Sequence, residues 1–277
     1  MDLKISDEIR NRKGARKPAE VPAEVLELLN SGLLETVNLS EWLAVDQLAL
    51  LQHFMQDHGM ASSAYERIYT AYQQLKKQTV NTVNQLIGQE LQRLLADEAP
   101  DRQARLYEQM SHHVSDIVRG WAAYVVSFQS DWSLEKQLEA VRPFAADAHF
   151  GVRELAWFAM RPPMALELTK AIGIMEEWAK SDDENIRRFA TESLRPRGVW
   201  CAHIEELKEQ PHLAVGILEP LKNDPSKYVR DSVGNWLNDA SKSAPDWVED
   251  LCERWGSESD TKATNYIIKR ALRTLRK

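Results

Sequence analysis

Apolar residues along this chain recur every three to four positions, and no run alternates with the period of two that marks a strand. Pro22 followed by Ala23-Glu24-Val25-Leu26-Glu27-Leu28-Leu29 predicts a short helix that stops near Gly32. Ser40 is placed to cap a helix running to about His58, ended by Gly59. Residues 63–98 carry a helical stripe of Leu75, Val80, Val83, Leu86, Ile87, Leu91 and Leu94-Leu95, as one long helix or two joined ones, broken at Ala99-Pro100-Asp101. Short helices then alternate with Pro, Asp, Asn and Ser connectors to the C-terminus. The first 20 residues are polar and aperiodic, which predicts a mobile basic arm (1–20) ahead of a single repeat domain (21–277).

From about residue 101 the pattern repeats. An apolar residue, a base, and a small or apolar residue three positions later recur around Arg119, Arg153, Arg187, Arg230 and Lys269, at helical-hairpin repeat spacing. This predicts an all-α fold, an α-solenoid of HEAT-like helical-hairpin repeats with a concave groove. On a helical wheel, Val152, Leu155, Ala156 and Ala159 face the core in the second repeat, with Glu154, Trp157 and Arg161 opposite. In the third, Ile186, Phe189, Ala190 and Ser193 face inward, with Arg188, Thr191 and Arg195 opposite. In the fifth, Ile268, Ala271, Leu272 and Leu275 are inward, with Arg270, Arg273 and Lys277 opposite. The opposite positions are Asp231, Gly234 and Asn238 in the fourth repeat and Gly120, Ala123 and Ser127 in the first.

The formal charge of -7 over 277 residues argues against a uniformly basic nucleic-acid wrapper, but the charge is uneven. Residues 186–277 carry a small basic excess, and Arg10 to Lys17 and Lys269 to Lys277 each hold five bases and no acid. Two cysteines, Cys201 and Cys252, give no disulfide framework and suit a reducing cytosol. The start lacks a signal-peptide core, and no uncharged stretch is long enough to span a membrane. Cytoplasmic localisation is therefore expected.

Of nine tryptophans, Trp121 and Trp236 fall on the core side, while Trp157 falls opposite it beside Glu154 and Arg161. A solvated face could hold Arg188, Arg195 and Arg197, with Trp200 close behind, but three arginines and a Trp within thirteen residues suit phosphate contact plus base stacking. The anchor bases Arg119, Arg153, Arg187 and Arg230 flank the core and read as structural. No phosphate loop, HExxH, CxxC or GxSxG is present, and the histidines lack metal spacing, so neither a metal nor a cofactor is expected.

The strings HFGVRELAWFAMRP (149–162), ENIRRFATESLRPRGVW (184–200), DPSKYVRDSVGNWLNDASKSAPDWV (224–248) and NYIIKRALRTL (265–275) resemble the bacterial HEAT-like-repeat DNA alkylation-repair proteins, closest to the AlkC side of the AlkC/AlkD superfamily. The resemblance implies an α-solenoid holding duplex DNA that contains alkylated bases, acting as a monomer and excising cationic purines of the 3-methyladenine type. It assigns Glu154 and Trp157 to catalysis. It assigns Arg161, Arg188, Arg195, Arg197, Trp200, Arg270 and Arg273 to DNA, with the arm as an extra backbone contact. AlkC-type members carry a carboxylate after the Arg of both early VR motifs, whereas this chain has Gly120 in the first, with Asp231 and Glu192 as substitutes. Its length leaves no room for the further β-sandwich domain of some relatives. Two other readings stand beside glycosylase: a non-catalytic binder of damaged or branched DNA, and a protein-interaction scaffold.

Overall fold

The computed structural model describes residues 5–276, so Lys277, expected on the outer face of the last repeat, lies outside them. Among the described residues there is no strand. Seventeen α-helices follow in order. They are α1 (Asp7–Arg10), α2 (Ala23–Asn30), α3 (Leu39–Ala44), α4 (Gln47–Asp57), α5 (Ser62–Gln73) and α6 (Val80–Ala96). Next come α7 (Pro100–Ser111), α8 (Asp116–Ser127), α9 (Leu134–Ala145), α10 (Phe150–Leu166), α11 (Leu168–Trp178) and α12 (Glu184–Glu192). The last are α13 (Glu205–Glu209), α14 (Val215–Leu218), α15 (Lys227–Ala240), α16 (Pro245–Glu258) and α17 (Lys262–Ala271). The single domain expected over 21–277 resolves into two compact units, one of residues 1–131 with 148–159, the other of 132–147 with 160–277.

Two predicted helices are divided. The helix expected from Ser40 to His58 is α3 and α4, because Asn38 and Asp46 each accept main-chain N–H groups and start separate helices. The 63–98 stripe is α5 and α6, the second opened by a reciprocal cap between Thr79 and Thr82.

In the first unit the N-terminal segment is docked, contrary to the mobile arm expected. Ile5 and Ile9 pack on Val25, Leu28, Leu29 and Leu34. Arg12 makes a paired contact with the fully buried Glu41, 2.8 and 2.7 Å. The Asn38 side chain donates to Ala15 O and the Ser40 hydroxyl to Arg16 O. A buried carboxylate needs a cation, and Arg12 is the one that reaches it. Trp121 is fully buried as expected, its indole donating to Asn84 on α6 at 2.8 Å.

The anchor arginines share one local device. Arg119 donates to the carbonyls of His113 and Val114, Arg187 to those of Ser181 and Asp182, and Arg230 to those of Asp224 and Pro225. Arg153 does the same to Ala148. Each guanidinium therefore turns back and fastens the loop that precedes its own helix, the structural role expected. Arg187 also grips Asp224 of the next repeat's loop at 2.7 Å.

In the second unit α12 packs on α15 and α15 on α17. This explains why the face opposite the core is not simply solvent: the following helix covers part of it. Thr191 donates to Ser232, and Asn238 to Ala271 O, both from buried side chains. Trp236 is fully buried and donates to Leu194 O at 2.9 Å. In the fifth repeat Ala271 and Leu272 are buried as expected, but the buried anchor is Ile267 rather than Ile268, which with Leu275 is only half-buried.

Candidate nucleic-acid interface

Glu154 and Trp157 are brought together on α10. The Trp157 Nε1–H donates to Glu154 Oε2 at 2.8 Å, a charge-assisted bond that fixes one carboxylate oxygen. Glu154 is partly exposed. Trp157 was expected to face a lesion, but its ring is only 3% exposed and stacks on Phe158 with centroids 3.8 Å apart. Its accessible function is to hold Glu154. On α8, a Cβ at Gly120 would collide with the Leu155 side chain. The first VR motif therefore carries no carboxylate for a packing reason: α8 and α10 approach through that point.

In the second unit the predicted arginines separate by role. Arg161 is 3% exposed and donates to three main-chain carbonyls, Ala202 (3.0 Å), Ser193 (2.8 Å) and Arg195 (2.7 Å). All of its fork is used in closing the 193–202 turn, so the expected phosphate contact is not available to it. Arg195 is likewise buried, between Glu192 (2.7 Å) and Asp239 (2.6 Å). Burial would raise the Glu192 carboxyl, but Arg188, Arg195 and the Ser232 hydroxyl together hold it below the usual range. Glu192 is thus a buried counter-ion rather than a substitute catalytic carboxylate.

Of the other four predicted arginines, Arg273 is exposed and Arg188, Arg197 and Arg270 are half-buried. Arg188 lies over the Tyr228 ring, 4.3 Å from its centroid. Arg270 and Arg273 both donate to Asn235 Oδ1, at 3.1 and 2.9 Å. Arg270 also pairs with Asp231 at 3.5 Å, and burial with the Arg270 charge lowers the Arg273 pKa. Arg197 is half-buried, and its Nε has no hydrogen-bond partner. Trp200 is 60% exposed at the tip of the loop before α13 and has a φ of 61°, a left-handed conformation that is strained for a bulky residue. Val199 beside it is 52% exposed.

Sequence reasoning missed Tyr228, Tyr266 and Asn235. The Tyr266 hydroxyl donates to Asp231, which Lys227 also pairs at 2.7 Å. Asp231, the other proposed substitute carboxylate, has its pKa held low by Lys227, Tyr266 and Arg270 against the raising effect of burial. The signal was present: Tyr228 and Tyr266 each precede the buried anchor of their repeat, Val229 and Ile267.

Among the described residues no group of His, Cys, Asp and Glu could hold a metal ion. No described helix is long and apolar enough to cross a membrane.

Serially packed helices, with guanidinia beside aromatic rings and one tethered carboxylate, define a helical-repeat protein with surface chemistry suited to a polyanion. The profile of the DNA alkylation repair enzyme family matches residues 152–275. The chain is similar to the alkylpurine DNA glycosylase AlkC of Pseudomonas fluorescens, whose structure is of the protein bound to DNA containing an abasic site analog. That likeness has a TM-score of 0.67 and 26% identity, covering 82% of this chain and 62% of that one. It is similar to AlkD2 of Streptococcus mutans with a TM-score of 0.57 and 26% identity, covering 76% of this chain and 97% of that one. The uncharacterized protein YhaZ of Bacillus subtilis is 41% identical over 121 residues, 43% of this chain and 33% of YhaZ. The matched stretch thus spans a third of that curated relative. Over residues 152–275 this chain matches the DNA alkylation repair enzyme family, and its helical-repeat fold is similar to those of AlkC and AlkD2.

Proposed function

We propose that this protein is a cytoplasmic, monomeric DNA glycosylase that hydrolyses the N-glycosidic bond of cationic alkylated purines of the 3-methyladenine type in duplex DNA. The observation that carries the reading is the Glu154 carboxylate, partly exposed and held by the Trp157 indole at 2.8 Å. The similarity to the Pseudomonas alkylpurine glycosylase supports it.

An N3- or N7-alkylated purine carries positive charge, so its bond to C1′ is already weakened. As that bond breaks, its electron pair leaves with the base, which becomes neutral, and the sugar takes on oxocarbenium character. Glu154 stabilises that charge and orients a water. The water oxygen bonds to C1′, and its proton passes to Glu154 or to solvent. Trp157 acts through Glu154, fixing the carboxylate that does this work. Arg270 and Arg273 suit phosphate contact, and Arg188, Arg197 and Trp200 supply further charge and a stacking face. The test is release of methylated purines from alkylated DNA, profiled by mass, by wild type and Glu154→Gln. Release by the wild type that falls in the variant supports the reading; equal release by both removes Glu154 from it.

Gly120 favours a second reading. Its packing against Leu155 excludes a second carboxylate at that position, which fits a protein that binds damaged or branched DNA without excision. Tight, salt-dependent binding of branched duplexes with no base released would favour it over the glycosylase.

A further inference from the structure

The first unit contains a cleft that the proposed glycosylase chemistry does not use. It has a volume of about 750 Å³, within the range of roughly 300–1,000 Å³ typical of small-ligand sites. Arg10, Arg12, Arg119 and Arg153 line it, together with His149 and Phe150. Glu35, paired with Arg119, is the carboxylate in its lining. Two more acids stand behind the wall: Glu41 on Arg12, and Asp116, 3.4 Å from His149. Burial pushes the Asp116 carboxyl up, although His149 and Thr36 oppose this. The lining itself thus holds four guanidinia and one carboxylate. The 17-residue helix α10 begins in the wall at Phe150, and its N-terminal dipole adds to the same sign.

The lining also holds apolar side chains open to water. Leu33, Val37 and Val114 line the cleft while being 41%, 37% and 55% exposed. The rings of His149 and Phe150 lie 4.7 Å apart beside them. Exposed aliphatic surface and a cationic wall around one nucleotide-sized space call for a ligand with both an anionic and a flat apolar part.

We propose that this cleft binds a nucleotide, with its phosphate against Arg10 and Arg153 and its base against Val37 and Val114. The inference stands apart from the glycosylase chemistry; of the residues assigned to DNA it uses only Arg10, from the basic segment 10–17. A free nucleotide and the phosphorylated end of a strand present the same chemistry, and the experiment separates them. The full-length protein is titrated calorimetrically with deoxyadenosine monophosphate, inorganic phosphate, and oligothymidylate with and without a 5′-phosphate. Binding of the monophosphate at least about tenfold tighter than inorganic phosphate is expected. Arg10→Glu and Val114→Asp, both at exposed positions, are each expected to weaken it about tenfold with an unchanged melting temperature. Displacement of the monophosphate by the 5′-phosphorylated strand, and not by the unphosphorylated one, identifies a strand end. Binding that no strand displaces identifies a free nucleotide. Binding of neither source, equal affinity for inorganic phosphate, or wild-type binding by both variants overturns the proposal.

Discussion

Gly120 on α8 lies directly under Leu155 on α10, with room for a hydrogen and none for a methyl group: a Cβ there would fall 2.8 Å from Leu155 Cβ and closer still to Cδ1. Both residues are fully or nearly fully buried, so neither side can yield into solvent. Gly120→Ala is expected to cost about 1–3 kcal/mol through overpacking, read as a lower urea midpoint. Gly120→Glu, which would restore the carboxylate of AlkC-type chains, is expected to destabilise more than Ala does and to add no base release. A gain in base release by that variant would show that the helices can separate.

Trp157 gives a sharper test of the catalytic arrangement than Glu154 alone. Trp157→Phe keeps a ring to stack on Phe158 but removes the donor to Glu154. On alkylated DNA the variant is expected to lose about tenfold or more in kcat, with KM little changed, as for an interaction used in the transition state. A purely packing role would lower the melting temperature and leave kcat in place.

The arginines divide by burial, and the two groups are expected to respond differently. Arg273→Ala removes an exposed charge beside Arg270. It is expected to weaken DNA binding and to reduce the slope of log K against log salt by about 0.9 for each phosphate the side chain no longer neutralises. Arg161→Ala strands three buried carbonyls and is expected to lower the melting temperature instead. Glu192→Gln, which removes the carboxylate between Arg188 and Arg195, is expected to cost about 3 kcal/mol in urea unfolding.

Much of this division was hidden in the sequence for one physical reason. Periodicity reports which residues face the core, and there it served well: Trp121, Val152, Phe189 and Trp236 are all buried. The repeats followed from the same spacing, and the family resemblance from the strings at 149–162, 184–200, 224–248 and 265–275. Periodicity does not report whether a second helix lies across the far face. Thr191 and Asn238 are covered in this way, and Arg161 and Arg195 are consumed by turn carbonyls and by carboxylates from α12 and α15. The docking of residues 5–20 was equally illegible, since it depends on the distant Glu41 and on Ile5 and Ile9 entering an apolar cluster.

Acid is expected to destabilise the first unit before its carboxylates titrate. Burial, with the charges of His58 and Arg119 nearby, pushes His113 down to about 4, and its Nδ1 accepts the Ser115 N–H at 3.0 Å. The unfolded chain takes up a proton near pH 6.5 that the folded chain refuses until about pH 4. Stability is therefore fully present above 6.5 and declines as pH falls through that window. Urea midpoints at pH 7 and pH 4.5 measure the decline, and His113→Gln is expected to flatten it. The low carboxyl of Glu192 adds a further loss below the ordinary glutamate range, as its charge between two arginines is neutralised.

The arginines that turn back onto their own loops set a gradient of local opening along the chain. At Arg119, Arg187 and Arg230 one planar fork fastens two successive carbonyls, so the loop cannot lift without breaking both bonds together. In the last repeat the residue after the buried anchor Ile267 is Ile268, which has no fork to offer. Amide exchange is thus expected to be slow in the helices behind the three clamped loops and to quicken in α17, where a turn can open singly. Arg270 and Arg273 belong to that looser end, so a polyanion that engages them would slow the exchange of α17, which carries Arg270 and ends two residues before Arg273.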